Sequence, residues 1–173
     1  EQVFKTKWLE RKPKYAFLLG MLYSFIAIVS ANLIFSGNSG MMSVAFTSIL
    51  LIPSLNMLLK DEENVEIREK KFNIIQLVKD HKDIFEIYIF LFLGIFVAYS
   101  VITLCLSSYY SIKLFTPQLK VAGITGSAYK HNVFWDMVKN NFIVLAVCLI
   151  LSFIYGAGSI LFLAWNASAW GVI

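Results

Sequence analysis

The sequence predicts an all-α, polytopic integral membrane protein, a helical bundle with about four transmembrane helices. Three observations predict it. Residues 15–59 carry no charged side chain, and neither do 87–112 or 140–173. The composition is 58% hydrophobic, 16% aromatic and only 15% charged, with a mean hydropathy of +0.70. The charges that exist cluster between the apolar runs. A helix rises about 1.5 Å per residue, so about 20 apolar residues cross a hydrocarbon core roughly 30 Å thick. A soluble domain of 173 residues cannot hide three such runs, and lipid is therefore the main burial partner.

Residues 1–14 hold five Lys and Arg and read as a cytoplasmic basic tail. A start at Glu1 and an end inside an apolar run predict a chain trimmed at both ends, with the lysine-rich start arguing against a cleaved signal peptide. Residues 15–59 form a helical hairpin. Tyr15 to Phe35 is span 1, Ser36-Gly37-Asn38-Ser39-Gly40 is a short turn, and Met41 to Leu59 is span 2. Pro53 removes a backbone donor inside span 2 and predicts a kink.

Residues 60–83 carry six basic and seven acidic side chains and form a cytoplasmic charged amphipathic segment. Ile67, Ile74, Leu77, Val78, His81, Ile84 and Phe85 share about a third of the helical wheel. The plainer reading is a solvated helix packed on its own bundle. Ile74, Val78 and His81 are the candidates for a partner surface. Residues 84–106 are span 3. Residues 107–140 form an external loop, in which Pro117, Gly123 and Gly126 break any long helix. Within it KHNVFWDMVKN (130–140) reads as an interfacial helix, with Phe134 and Trp135 suited to the headgroup region. Residues 141–173 hold span 4, to about Trp165, and the truncated end.

Orientation follows from Lys and Arg. Five in 1–14 and six in 60–83 oppose four in 107–139 and none in the 36–40 turn. This places the N-terminus in the cytoplasm of a multi-pass cell-membrane protein. The net charge of +4 is thus topological, and no basic stripe interleaved with aromatics points to nucleic acid.

The chemistry of sites is sparse. Cys105 and Cys148 lie in apolar runs without a CxxC pattern and read as small hydrophobes. His81 and His131 fall on opposite sides of the membrane, so no metal site or cofactor is expected. No P-loop, HExxH or GxSxG pattern occurs, and no catalytic residue or enzyme activity is expected. The spans read as free of Asp, Glu, Lys, Arg and His, the groups that proton relays and ion-coupled carriers place there. Uncharged polarity remains: Asn32, Asn56, Asn141 and Asn166, with Ser24, Ser30, Ser100, Thr103, Ser152 and Ser159. Interhelical hydrogen bonding is the first reading of these groups, and the lining of a substrate path is the second.

The densest signal is SFIYGAGSILFLAWNASAWG, residues 152–171, read as a helix-packing motif of Tyr155, Gly156, Gly158, Trp165, Asn166, Ser168 and Gly171. Its small residues should give the closest helix contact in the molecule, centred on Gly158, with Asn166 satisfying a polar group that this approach buries. Gly156 and Gly158 also invite a break. The Asn166-Ala167-Ser168 sequon beside a span is read as chance.

YGAGSILFLAWNAS (155–168) resembles the late hydrophobic region of the stage II sporulation protein M family, and archaeal members most of all. ERKPKYAFLLGMLYS (10–24), HKDIFEIYIFLFLGIFVAYS (81–100) and the Asn140-Asn141 pair fit the same family in order. The resemblance implies an all-helical integral membrane protein. In bacterial members it implies the scaffold of a membrane complex containing cell-wall hydrolases. It carries no catalytic residue onto this chain. The expected function is a non-enzymatic membrane scaffold or assembly component. The alternative is a small permease or channel subunit with an uncharged polar path. Expected partners are the lipid bilayer, other membrane or membrane-associated proteins and, as an option, further copies of the chain.

Overall fold

The computed structural model describes residues 12–35, 37–66, 82–120 and 157–173, with isolated helical positions between 135 and 150. Helix α1 spans Lys14–Ile34 and follows Pro13, whose fixed φ and missing N–H suit a helix start. Its buried stripe is Ala16, Leu19, Gly20, Ser24, Ala27, Ile28 and Ala31. Leu18, Leu22, Ile26, Val29 and Leu33 face outward. Small residues inside and large ones outside are what lipid selects, because the bilayer is as apolar as leucine and only close packing favours the interior. The helix closes with the Phe35 amide on the Ala31 carbonyl.

After a turn at Gly37 and Asn38, helix α2 spans Ser39–Glu66. Its 28 residues reach about 42 Å, more than the hydrocarbon thickness of roughly 30 Å. Residues Ser39–Met57 are the membrane-compatible part. The sequence reading stops span 2 at Leu59 and starts a separate segment at 60. The observed helix runs through that boundary, because Lys and Glu are good helix formers once outside lipid. Pro53 lies inside α2 on its exposed side.

Helix α3 spans Lys82–Cys105 and buries Ile84, Ile87, Leu91, Gly94, Ile95, Ala98 and Tyr99. It corrects one expectation. Glu86 falls within the 84–106 span, so that span does hold an ionisable residue. The carboxylate sits near the helix start, partly exposed, 3.7 Å from the Lys82 ammonium one turn earlier. Helix α4 (Ser108–Leu114) follows a bend at Leu106 and Ser107 and buries Ser111 and Leu114. A helical turn at 116–120 continues the loop.

Near the end, a 3₁₀ turn (Ala157–Ser159) leads into helix α5 (Ile160–Val172). The turn falls at the glycine pair expected to break the chain. α5 continues past Trp165, where the sequence reading ends span 4, and its 13 residues cover about 20 Å. Among the described residues, three helices are therefore long and apolar enough to cross a membrane, and α5 is a shorter apolar helix.

α1 packs on α2 and α3, and α5 packs on α3 and α2. The direction of α5 follows from its neighbours. Ser159 hydrogen-bonds the Tyr88 hydroxyl. Leu163 lies beside the Tyr88–Phe92 stretch, Gly171 lies on Phe96 and Tyr99, and Val172 reaches the Thr103–Leu106 level. α5 thus runs parallel to α3, and Ile173 lies at the bundle end that holds the α1–α2 turn. A span descending to about Trp165 would run the other way. The aromatic 130–140 segment is described at Trp135, Val138 and Lys139, all helical and exposed.

Candidate functional site

Ser39, Ser43 and Thr47 recur every four residues on the inner face of α2, and all three are buried. Two of these hydroxyls bond back to their own helix. Ser43 donates to the Gly40 carbonyl at 2.8 Å and Thr47 to the Ser43 carbonyl at 2.8 Å, as neighbouring Ser48 does to Val44. Back-bonding satisfies a hydroxyl without an interhelical partner and leaves a smooth surface for close packing. Ser43 Oγ also lies 2.8 Å from Tyr99 Oη on α3. Its single proton goes to Gly40, so Tyr99 is the donor. Thr47, whose own proton goes to the Ser43 carbonyl, is a further polar neighbour of that hydroxyl. The Tyr99 ring rests on Phe115, centroids 5.6 Å apart.

The layer is closed from above by Gln118. It is fully buried, and its Nε2 donates to the Gly40 carbonyl at 2.8 Å across 78 residues of chain. Exchanging the amide N and O would set two acceptors face to face, so the carbonyl fixes the orientation. Gln118 Oε1 has no hydrogen-bond partner among the described residues. Gly40 permits this approach, because a Cβ there would lie 2.6 Å from the Leu114 carbonyl oxygen and 2.7 Å from Gln118 Oε1. Gln118→Met keeps the volume, loses one donor and removes the orphaned acceptor. Its expected cost is below about 1 kcal/mol in reversible unfolding from detergent micelles, and a loss above about 2 kcal/mol would contradict this assignment.

Three glycines set how closely the helices approach. A Cβ on Gly20 would stand 2.8 Å from the Leu91 carbonyl oxygen, and one on Gly94 would strike the Phe17 carbonyl. The two residues let α1 and α3 meet backbone to backbone. A Cβ on Gly171 would lie 2.6 Å from the Phe96 carbonyl oxygen and 2.9 Å from Tyr99 Cβ, which draws α5 onto the other side of α3.

The residues singled out in the sequence are distributed as follows. Gly171 and Ser168 are buried, and Ser168 Oγ bonds the Trp165 carbonyl at 2.8 Å. Trp165 is half-buried against the core, and Gly158 is also half-buried. Asn166 is exposed, with its amide on the Phe162 carbonyl of its own helix at 2.8 Å. It therefore satisfies its own helix and not a group buried at Gly158. Asn32 is exposed beside the α1–α2 turn, and half-buried Asn56 lies 17 residues beyond Ser39, about 25 Å away along α2. Asn32, Asn56 and Asn166 do not converge on one path. Asn141, Tyr155, Gly156, Ile74, Val78, His81 and Cys148 lie outside the described residues. Cys105 is exposed and unpaired as a thiol.

Sequence reasoning missed Ser43, Thr47, Tyr99 and Gln118. The four-residue spacing on α2 was available as a signal. Nothing local marks Tyr99 or Gln118 as its partners. What the arrangement offers is hydrogen bonding and close packing, and no group of three His, Cys, Asp or Glu among the described residues is placed to hold a metal ion. Comparison with protein-family models, curated proteins and solved structures finds no match to this chain.

Proposed function

We propose that the chain is a non-enzymatic membrane scaffold or assembly component of the kind the stage II sporulation protein M resemblance implies. It sits in the cell membrane with residues 1–14 and 60–83 in the cytoplasm. Other membrane or membrane-associated proteins are its partners. The carrying observation is the Gly40–Ser43–Tyr99–Gln118 layer, where Tyr99 and Gln118 hydrogen-bond across to α2. Of the span asparagines of the transport reading, Asn32 and Asn166 are exposed and Asn56 is half-buried far from Asn32. A helical bundle carrying a charged cytoplasmic segment is suited to holding partners.

The test combines vesicles and cells. Reconstituted chain is expected to leave vesicles as tight to small polar solutes and ions as protein-free controls. In cells, Val78→Glu is expected to lower recovery of the native membrane complex while insertion is unchanged. Protein-dependent solute flux that Tyr99→Phe alters would instead favour the permease reading, for which the buried, unpartnered hydroxyls of Ser24 and Thr103 speak.

A further inference from the structure

α5 covers the face of α3 that carries Phe96 and Tyr99, but it begins only at Ile160, level with Tyr88. Closer to Lys82, α5 does not reach along α3. Phe85, Tyr88, Ile89, Phe92 and Leu93, with Leu163 opposite, wall a groove of about 510 Å³. No polar atom faces it, and the Tyr88 hydroxyl hydrogen-bonds Ser159. The groove lies along a membrane-spanning helix, where hydrocarbon is the solvent. Lys82 stands three and seven residues before Phe85 and Ile89, on the same helix face, and so marks the mouth of the groove. Its side chain is 72% exposed and lies 3.7 Å from Glu86, in a solvent-screened pair of little strength.

We propose that this groove seats one acyl chain of an anionic phospholipid from the leaflet at the Lys82 end, with the lipid phosphate taken by Lys82. The walls argue for a lipid over a second helix. Helices associate in lipid through small residues that let backbones approach. Here the walls are large rings and branched chains, which a flexible acyl chain can follow and a helix cannot. The ammonium is a compact donor suited to phosphate, and basic groups beside the hydrocarbon select anionic headgroups.

The full chain, purified in mild detergent, is equilibrated with phosphatidylglycerol or phosphatidylcholine, and retained lipid per chain is counted by native mass spectrometry. Phosphatidylglycerol is expected at one per chain, with a preference over phosphatidylcholine of about fivefold, the factor one basic residue contributes. Lys82→Gln should abolish the preference while one lipid stays bound. Ile89→Trp should fill the groove and lose both lipids. Val101→Trp, at an exposed site further along α3, should retain them and so shows that a tryptophan on this helix does not itself unfold the bundle. The proposal is overturned if the wild-type chain retains no lipid, if Ile89→Trp retains it unchanged, or if Lys82→Gln keeps the fivefold preference. It is also overturned if Ile89→Cys links two chains by a disulfide in vesicles, which would show a second copy in the groove.

Discussion

Gly94→Leu is expected to force α1 off α3, one of the two largest effects in the molecule. A Cβ at this position strikes the Phe17 carbonyl, and backbone cannot swing aside as a long side chain can. Ordinary overpacking costs about 1–3 kcal/mol, and this substitution should reach or exceed the upper end. The readout is loss of a monodisperse species in detergent and a fall in the unfolding midpoint. Gly37→Ala is the matched control, since nothing lies within 4 Å of a Cβ there. It should stay within about 0.5 kcal/mol of the parent. Equal losses at the two glycines would remove the argument from close approach.

Tyr99→Ala should cost about 3–5 kcal/mol, the range for deleting a buried aromatic side chain. Tyr99 is fully buried, holds Ser43 and packs at a tilt on Phe115, so its loss opens both contacts. Tyr99→Phe keeps the ring and should cost only about 0.6 kcal/mol, and at most about 1.7, as interhelical hydrogen bonds do in lipid. Ser43 still donates to Gly40 in that variant. A double-mutant cycle with Ser43→Ala isolates the pair, and a coupling near zero would mean that the two hydroxyls are neighbours without an energetic link.

Lipid makes part of this fold legible. Exclusion of charge over a membrane thickness is a demand that a sequence cannot disguise, and the helices of spans 1 and 3 lie within two residues of the expected 15–35 and 84–106. The continuation of α2 to Glu66 was hidden, because a helix that leaves lipid needs no apolar pattern. The small-residue run at 155–171 drew the eye by density, and Gly171 does meet α3. Gly20 and Gly94 also set a backbone-to-backbone crossing, and each stands isolated among large apolar residues, where a missing side chain has no local reason and therefore signals a neighbour. The asparagines misled for a related reason. An amide on a lipid-facing surface can satisfy itself on its own helix, as Asn166 does with Phe162, so polarity in a span does not by itself point inward. Tyr99 and Gln118 find Ser43 and Gly40 across 56 and 78 residues, a relation that only tertiary packing creates.

The account rests on an interior whose polar groups join helices and admit no water. Cysteine accessibility tests this most directly. Ser43→Cys and Thr47→Cys, each in a chain with Cys105 and Cys148 replaced by serine, are treated in sealed vesicles with a water-soluble thiol reagent from each side in turn. Both positions are expected to stay unlabelled while Gly37→Cys, at the exposed turn, is labelled readily from one side. Labelling of Ser43→Cys or Thr47→Cys at a rate near that of Gly37→Cys would show an aqueous path through the bundle and contradict the scaffold account.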